Sequence, residues 1–332
     1  MNRALLGALA LSVFATCSAS AGVQPRSAAP LREVLVYAKA VPPYAPNSSE
    51  NVWRANPAGG NPKLLAKNAA EPAVSPDGRY VAYTSGGKVL VVPAMGGRAR
   101  EVYALEGKGA GLGTPPQWAP NSRRIAFWAG ETPGLVLVDI PSGRPKVTHL
   151  PIDDVSFSPD SLRIAYVRHG DLYVMPAGGG RSIRLTDDGK SLAPVWGRLG
   201  IAFTRFTHDA YGEIWLTDAR KHAARQLTHT GEYSIFPASF SADGKELLAA
   251  NPAMHNGRLW AVDVPNGSAR PLTHWVGDLF PQGLSADGKT VLASIGCGGR
   301  IGPYGVVETI PFAGGKPHVI VRGPCRASWN AR

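Results

Sequence analysis

Charge is scarce in this chain, acid scarcer still, and cysteine nearly missing. Asp, Glu, Lys and Arg make up 18 % of 332 residues, and 24 acids stand against 35 basic residues. The three cysteines are Cys17, Cys297 and Cys325. There is no C-x-x-C, no H-E-x-x-H and no G-x-S-x-G, which removes the usual local signatures of a zinc module, a zincin and an α/β-hydrolase. No run of Lys and Arg interleaved with aromatics occurs, so a nucleic-acid partner is not expected. Beyond residue 15 no apolar stretch is long enough to span a bilayer.

What remains is rich in turn formers, with 39 Gly and 29 Pro. Such a balance suits many short strands joined by tight connections. The formal net charge of +11 fits an anionic envelope polymer, acidic glycan or lipid head, or simply a solvated basic surface.

The start reads as an export signal. Met1-Asn2-Arg3 is positive, Ala4 to Ala15 is an apolar run, and Ala19-Ser20-Ala21 is a small-residue cleavage site. Cleavage after Ala21 places the protein in the periplasm or outside the cell. Cys17 is a weaker alternative as a lipid anchor, because Thr16 and Phe14 are poor residues for that signal. Residues 22–31 form a Pro/Ala/Ser-rich leader, expected to be disordered. The rest, 32–332, reads as one domain.

That domain repeats a phrase. Ser75-Pro76-Asp77-Gly78-Arg79 precedes Val81-Ala82-Tyr83, and Ser158-Pro159-Asp160-Ser161 precedes Ile164-Ala165-Tyr166. Ser241-Ala242-Asp243-Gly244-Lys245 and Ser285-Ala286-Asp287-Gly288-Lys289 follow the same plan. A unit of roughly 40–45 residues built this way signals a β-propeller. In one unit, Pro72–Ser75, Tyr80–Thr84, Val89–Pro93 and Arg100–Tyr103 are four strands separated by turns. In the turn, Pro fixes φ, Asp bonds back to the backbone and Gly takes the positive φ. Six complete units follow one another. Residues 34–65 supply three strands of a seventh, and 327–330 its missing first strand. Pairing of 327–330 with 34–37 closes an all-β, seven-bladed propeller without a free edge; six blades with loose ends is the alternative.

The Ser-Pro-Asp-Gly-Arg/Lys phrase, the Ile/Val-Ala-Tyr/Phe strand and the closing Leu185-Thr186, Leu227-Thr228 and Leu272-Thr273 resemble the PD40 (WD40-like) repeat of the TolB propeller family. The resemblance covers about residues 34–330 and implies a propeller fold. TolB also carries an N-terminal α/β domain. Only about ten residues separate the signal from the first strand, too few for a domain, so part of the docking apparatus of the Tol–Pal complex is not expected.

Gly283–Thr290 spells a Walker A motif, but its Asp-Gly-Lys is the repeat's hairpin turn and a strand follows, not a helix. Blade geometry sorts the loops. Connections between second and third strands, and between blades, emerge on one face. That face receives the long segments Val41–Asn51, Leu105–Pro116, Phe206–Gly212, Asn251–Gly257 and Gly296–Gly305. It also receives the ligand-binding candidates His169, His208, Asp209, Tyr211, His229, Tyr233, His255, His274, Trp275 and Asp278. Long loops on one face read as a binding mouth, and His with carboxylates suits a metal or acid–base work. No pair has metal-ligand spacing, and Leu-Thr-His at 227–229 and 272–274 is equally a structural repeat. Cys297 and Cys325 fall on the same face, and a Cys297–Cys325 disulfide is expected in an exported protein.

Two functions follow. One is a monomeric, non-catalytic scaffold that binds a protein or anionic envelope polymer or glycan, with no cofactor. The other is a polysaccharide lyase or hydrolase that uses a divalent metal on the His-rich face.

Overall fold

A computed structural model describes residues 33–42, 49–105, 112, 115–129, 134–152, 154–208, 211–219, 223–251, 257–274, 279–285, 287–295 and 305–330. The described residues form seven four-stranded antiparallel sheets and no helix. Six sheets are continuous in sequence and are numbered here as blades 1 to 6: residues 70–104, 117–147, 155–184, 191–226, 236–271 and 279–322. Blade 7 is composite: the last strand (Pro324–Trp329) lies beside Leu35–Ala40, followed by Glu50–Ala55 and Lys63–Ala66. The chain is a seven-bladed β-propeller.

The closing register is the one the sequence predicts: Leu35 faces Trp329, Val36 faces Ser328 and Tyr37 faces Ala327. Asn330 Oδ1 accepts the Val34 amide at 2.7 Å, extending the pairing by one residue. The same strand grips blade 1, where Ser328 Oγ accepts the Val74 amide at 3.2 Å. Each innermost strand packs beside the innermost strand of the next blade around the ring.

There is no single core. Seven apolar clusters lie between the seven pairs of adjacent blades. Side chains alternate across a strand, so Leu35 and Tyr37 pack towards blade 6 with Leu292 and Val307. Val36 and Ala38 pack the other way, towards Val81 and Tyr83 of blade 1. Both faces of each sheet are therefore dry, and its central strands read as continuous apolar runs rather than alternating ones. This is how some 300 residues fold without a linker: each blade completes its neighbour.

Polar stitches add to the packing. The repeated turn has a constant arrangement in which the Ser Oγ donates to Asp Oδ1, at 2.6 Å for Ser75 and Asp77. The distances are 2.5 Å at Ser158–Asp160, 2.7 Å at Ser241–Asp243 and 2.6 Å at Ser285–Asp287. The same Asp oxygen accepts a backbone amide two residues on, from Arg79, Leu162, Lys245 or Lys289. On outer strands, basic side chains reach the next blade: Lys146 Nζ donates to Gly178 O at 2.7 Å, Arg225 to Val264 O at 2.6 Å and Arg270 to Phe312 O at 2.7 Å. Arg100 makes the same contact to Ile140 O.

Two expectations are refined. The segment Phe206–Gly212 is not a long loop. Phe206 pairs with Gly212 and His208 with Tyr211, so the hairpin continues almost to its tip. Its β-forming residues Phe206, Thr207 and Tyr211 extend the ladder. The Walker-like segment ends in a strand, Thr290–Ile295, which rules out a P-loop. The signal segment and leader lie outside the described residues.

Candidate functional site

Antiparallel order places the Ser-Pro-Asp-Gly turns on one face of the ring and the connections between second and third strands, and between blades, on the other. That second face carries the candidates.

The Leu-Thr repeat proves structural. The Leu side chains of 185, 227 and 272 are buried. Thr186 Oγ1 accepts the Leu172 amide at 2.8 Å, Thr228 the Ile214 amide at 2.9 Å and Thr273 the Leu259 amide at 3.0 Å. The hydroxyl satisfies a backbone donor that would otherwise be buried unpaired. His229 and His274 follow this Thr and are exposed. His169 is exposed at the tip of a two-residue hairpin with φ +52°. Its neighbour Gly170, at φ +74°, lies so close to the Gly189 carbonyl that a Cβ would fall 2.2 Å from that oxygen. His169, His229 and His274 therefore sit in three separate connections. Among the described residues no group of three His, Cys, Asp or Glu side chains can hold a metal. The His208 side chain, Asp209, His255, Trp275, Asp278, Cys297 and the Cys325 side chain lie outside the described residues.

Two candidates are brought together. The rings of Tyr211 and Tyr233 lie 5.2 Å apart, tilted by 45°. They are 38 % and 56 % exposed. Tyr211 ends the hairpin of blade 4, and Tyr233 rides on the connection to blade 5. That connection is firmly braced. Buried Glu213 accepts Thr228 Oγ1 at 2.5 Å, Thr230 Oγ1 at 3.1 Å and the Gly231 amide at 2.9 Å. Asn251 Nδ2 donates to Tyr233 O at 2.7 Å, the Ile235 amide donates to Gly212 O at 2.9 Å, and Thr204 Oγ1 donates to Ile235 O at 2.8 Å. Beside Tyr233, Glu232 pairs with Arg258 at 3.4 Å, and the Arg258 guanidinium stacks on Trp260.

Sequence reasoning missed a second cluster. Glu71 is only 5 % exposed, yet it is on the innermost strand of blade 1. Its Oε1 accepts Arg326 Nη1 from the closing strand at 2.8 Å. Its Oε2 accepts Thr84 Oγ1 at 3.2 Å and the Leu112 amide at 3.1 Å. Burial pushes its carboxyl above the ordinary Glu range, and the hydrogen bonds and charge of Arg326 only partly oppose that. Burial also raises Glu50, again against Arg326. A register shift between Ala70 and Ala73 and a φ of +55° at Glu71 re-aim this side chain. One signal was available. Where other units place Ala193, Phe236 and Phe280 before the first-strand proline, this one places a charge.

A cleft between blades 2 and 3, lined by Gln117, Trp128, Ile152, Asp154 and Val155 among others, encloses about 80 Å³. That is room for a few waters, well short of a typical organic ligand site.

The fold and this face define a β-propeller with one structured turn face and one face of longer connections. Comparison with known proteins places it among TolB-like propellers in fold. TolB from Acinetobacter baumannii superposes with a TM-score of 0.55 at 18 % identity, over 92 % of this chain and 68 % of that one. A putative TolB from Agrobacterium tumefaciens gives 0.52 at 16 %, over 89 % and 91 %. An oligogalacturonate lyase in complex with manganese gives 0.58 at 12 %, over 89 % and 86 %. The family model of the dipeptidyl peptidase IV N-terminal region matches residues 130–195, well under half of the chain. No curated protein matches by sequence at a significant level.

Proposed function

We propose that this TolB-like propeller is an exported binding scaffold that engages a protein or an anionic envelope polymer through its long-connection face. The observation that carries the reading is the exposed Tyr211–Tyr233 pair on a connection braced by Glu213, Asn251 and Thr204. A surface held rigid before binding loses little conformational freedom on binding. The buried acid Glu71 favours the same reading, because its oxygens are already taken by Arg326, Thr84 and Leu112. A carboxylate so saturated is a structural tie rather than a poised acid or base. The signal-like segment 1–21 supports export.

The test is a photo-crosslinking amino acid placed at Tyr233 on one face and, separately, at Tyr80 beside a repeated turn on the other. In cells, crosslinked adducts are expected at position 233 and not at 80. Equal yields at the two positions would overturn the reading.

A second reading, a metal-assisted polysaccharide lyase or hydrolase, is favoured by the shared fold with an oligogalacturonate lyase in complex with manganese. Among the described residues no group of three His, Cys, Asp or Glu side chains is assembled for such a metal. Elemental analysis before and after chelation separates the two: a stoichiometric divalent metal lost in His274→Ala supports the enzyme.

A further inference from the structure

We infer that Tyr211 and Tyr233 form a stacking platform for a pyranose ring of a saccharide chain. The inference rests on the reading that the long-connection face is the binding face, and names the ligand class for it.

Size argues first. Two phenol rings with centroids 5.2 Å apart present a surface matched to one or two sugar rings. A stable protein partner asks for about 800 Å² on each side with an apolar centre. Here the residue next to Tyr233 in sequence is the charged Glu232, paired with Arg258, their side chains 27 % and 18 % exposed.

Chemistry argues next. A pyranose has an apolar C–H face and a rim of hydroxyls. Tyrosine offers an apolar ring with a polar tip, and the adjoining carboxylate and guanidinium accept from and donate to hydroxyls. The tilt of 45° between the rings makes an angled seat instead of a closed sandwich, so faces of both rings remain available to a ligand.

Order argues third. The connection that carries Tyr233 is bonded at Thr228, Thr230, Gly231, Tyr233 and Ile235. Connections are usually the mobile part of a fold and carry its function, and here the backbone that presents the Tyr233 ring is held in place before any ligand arrives. The net charge of +11 draws polyanions from a distance, so an acidic saccharide is the favoured form of the ligand.

The experiment titrates the whole chain with a mannuronate hexasaccharide and, in parallel, with cellohexaose, by calorimetry and by saturation-transfer NMR on the sugar protons. The acidic hexasaccharide is expected to bind, and more tightly than cellohexaose, with transfer concentrated on ring C–H protons. Tyr233→Ala is expected to weaken that binding roughly ten-fold, and Tyr233→Phe to retain it, since stacking needs the ring and not the hydroxyl. An unchanged thermal midpoint of Tyr233→Ala would show that the loss is local. If neither sugar binds, or Tyr233→Ala binds as well as wild type, the inference is overturned. Should crosslinks at 233 persist while both sugars fail, only the ligand class falls. Should crosslinks fail too, the binding-face reading falls with it.

Discussion

The turn face repeats one local arrangement from blade to blade, whereas on the long-connection face the buried acid and the exposed aromatic pair are each held by ties found at one place in the ring. On the turn face, Ser, Asp and a backbone amide two residues further on close the same hydrogen bonds at Ser75, Ser158, Ser241 and Ser285. Within that arrangement each partner lies within five residues, and longer bonds such as the Asp77 amide to Ser122 Oγ and the Asn121 amide to Ser161 Oγ link one turn to the next. On the other face, Glu71 meets Arg326 across 255 positions, and Tyr233 meets Tyr211 only because a connection is folded back on a hairpin. Local ties survive wherever the phrase is spelled out. The Glu71–Arg326 tie depends on the ring being closed.

The largest expected effect follows from removing that closure. A chain ending at Gly323 loses the strand Pro324–Trp329, its ladder to Leu35–Ala40, the Ser328 bond to blade 1 and the Arg326 partner of Glu71. It leaves apolar residues of blades 6 and 7 uncovered and an open edge. We expect aggregation or a molten state, read by loss of the cooperative thermal transition. A normal transition in that variant would dissolve the contrast between the faces.

Next comes Glu71→Ala. It leaves the Leu112 amide without its acceptor and frees Arg326, and is expected to lower stability by about 2 kcal/mol, the usual scale for a buried donor stripped of its partner. Chemical denaturation measures it.

The smallest effect is a difference in pH dependence. On the turn face, hydrogen bonds lower the carboxyl pKa of Asp160 (first from Ser158), Asp243 (first from the Lys245 amide) and Asp287 (first from Ser285). A depressed acid adds stability that is present above its unfolded value, about 3.9, and lost as pH falls through the folded value. On the other face, burial raises Glu71 and Glu50. A raised acid has the opposite sign: stability declines as pH rises from the ordinary Glu range through the folded value. Asp243→Asn should flatten the acid limb and Glu71→Gln the limb above it. Identical profiles for both variants would sink the assignment of limbs to faces.

The basic excess also divides between structure and surface. Arg100, Lys146, Arg225 and Arg270 each donate to a carbonyl of the next blade. Part of the +11 charge thus serves as inter-blade latching, which composition alone presents as an undifferentiated basic surface. The same holds for Leu-Thr-His. The Thr hydroxyl holds a backbone amide in three blades, and the following His229 and His274 are exposed. Their repetition came from the blade's architecture.

The blade count, the composite seventh blade and the sorting of connections by face are legible in the order of residues alone. These rest on period, turn chemistry and apolar runs, which are local and recur, so a single chain displays them several times over. Which side chains meet emerges from the folded ring. Glu71 belongs to a cluster because a bulge re-aims it and the chain's far end brings Arg326 to it. Tyr233 faces Tyr211 because Glu213 and Asn251 hold its connection in place. Contacts of that kind depend on how blades and connections pack, and at Glu71 on the closure of the ring, and nothing in the spacing of the residues along the chain specifies them.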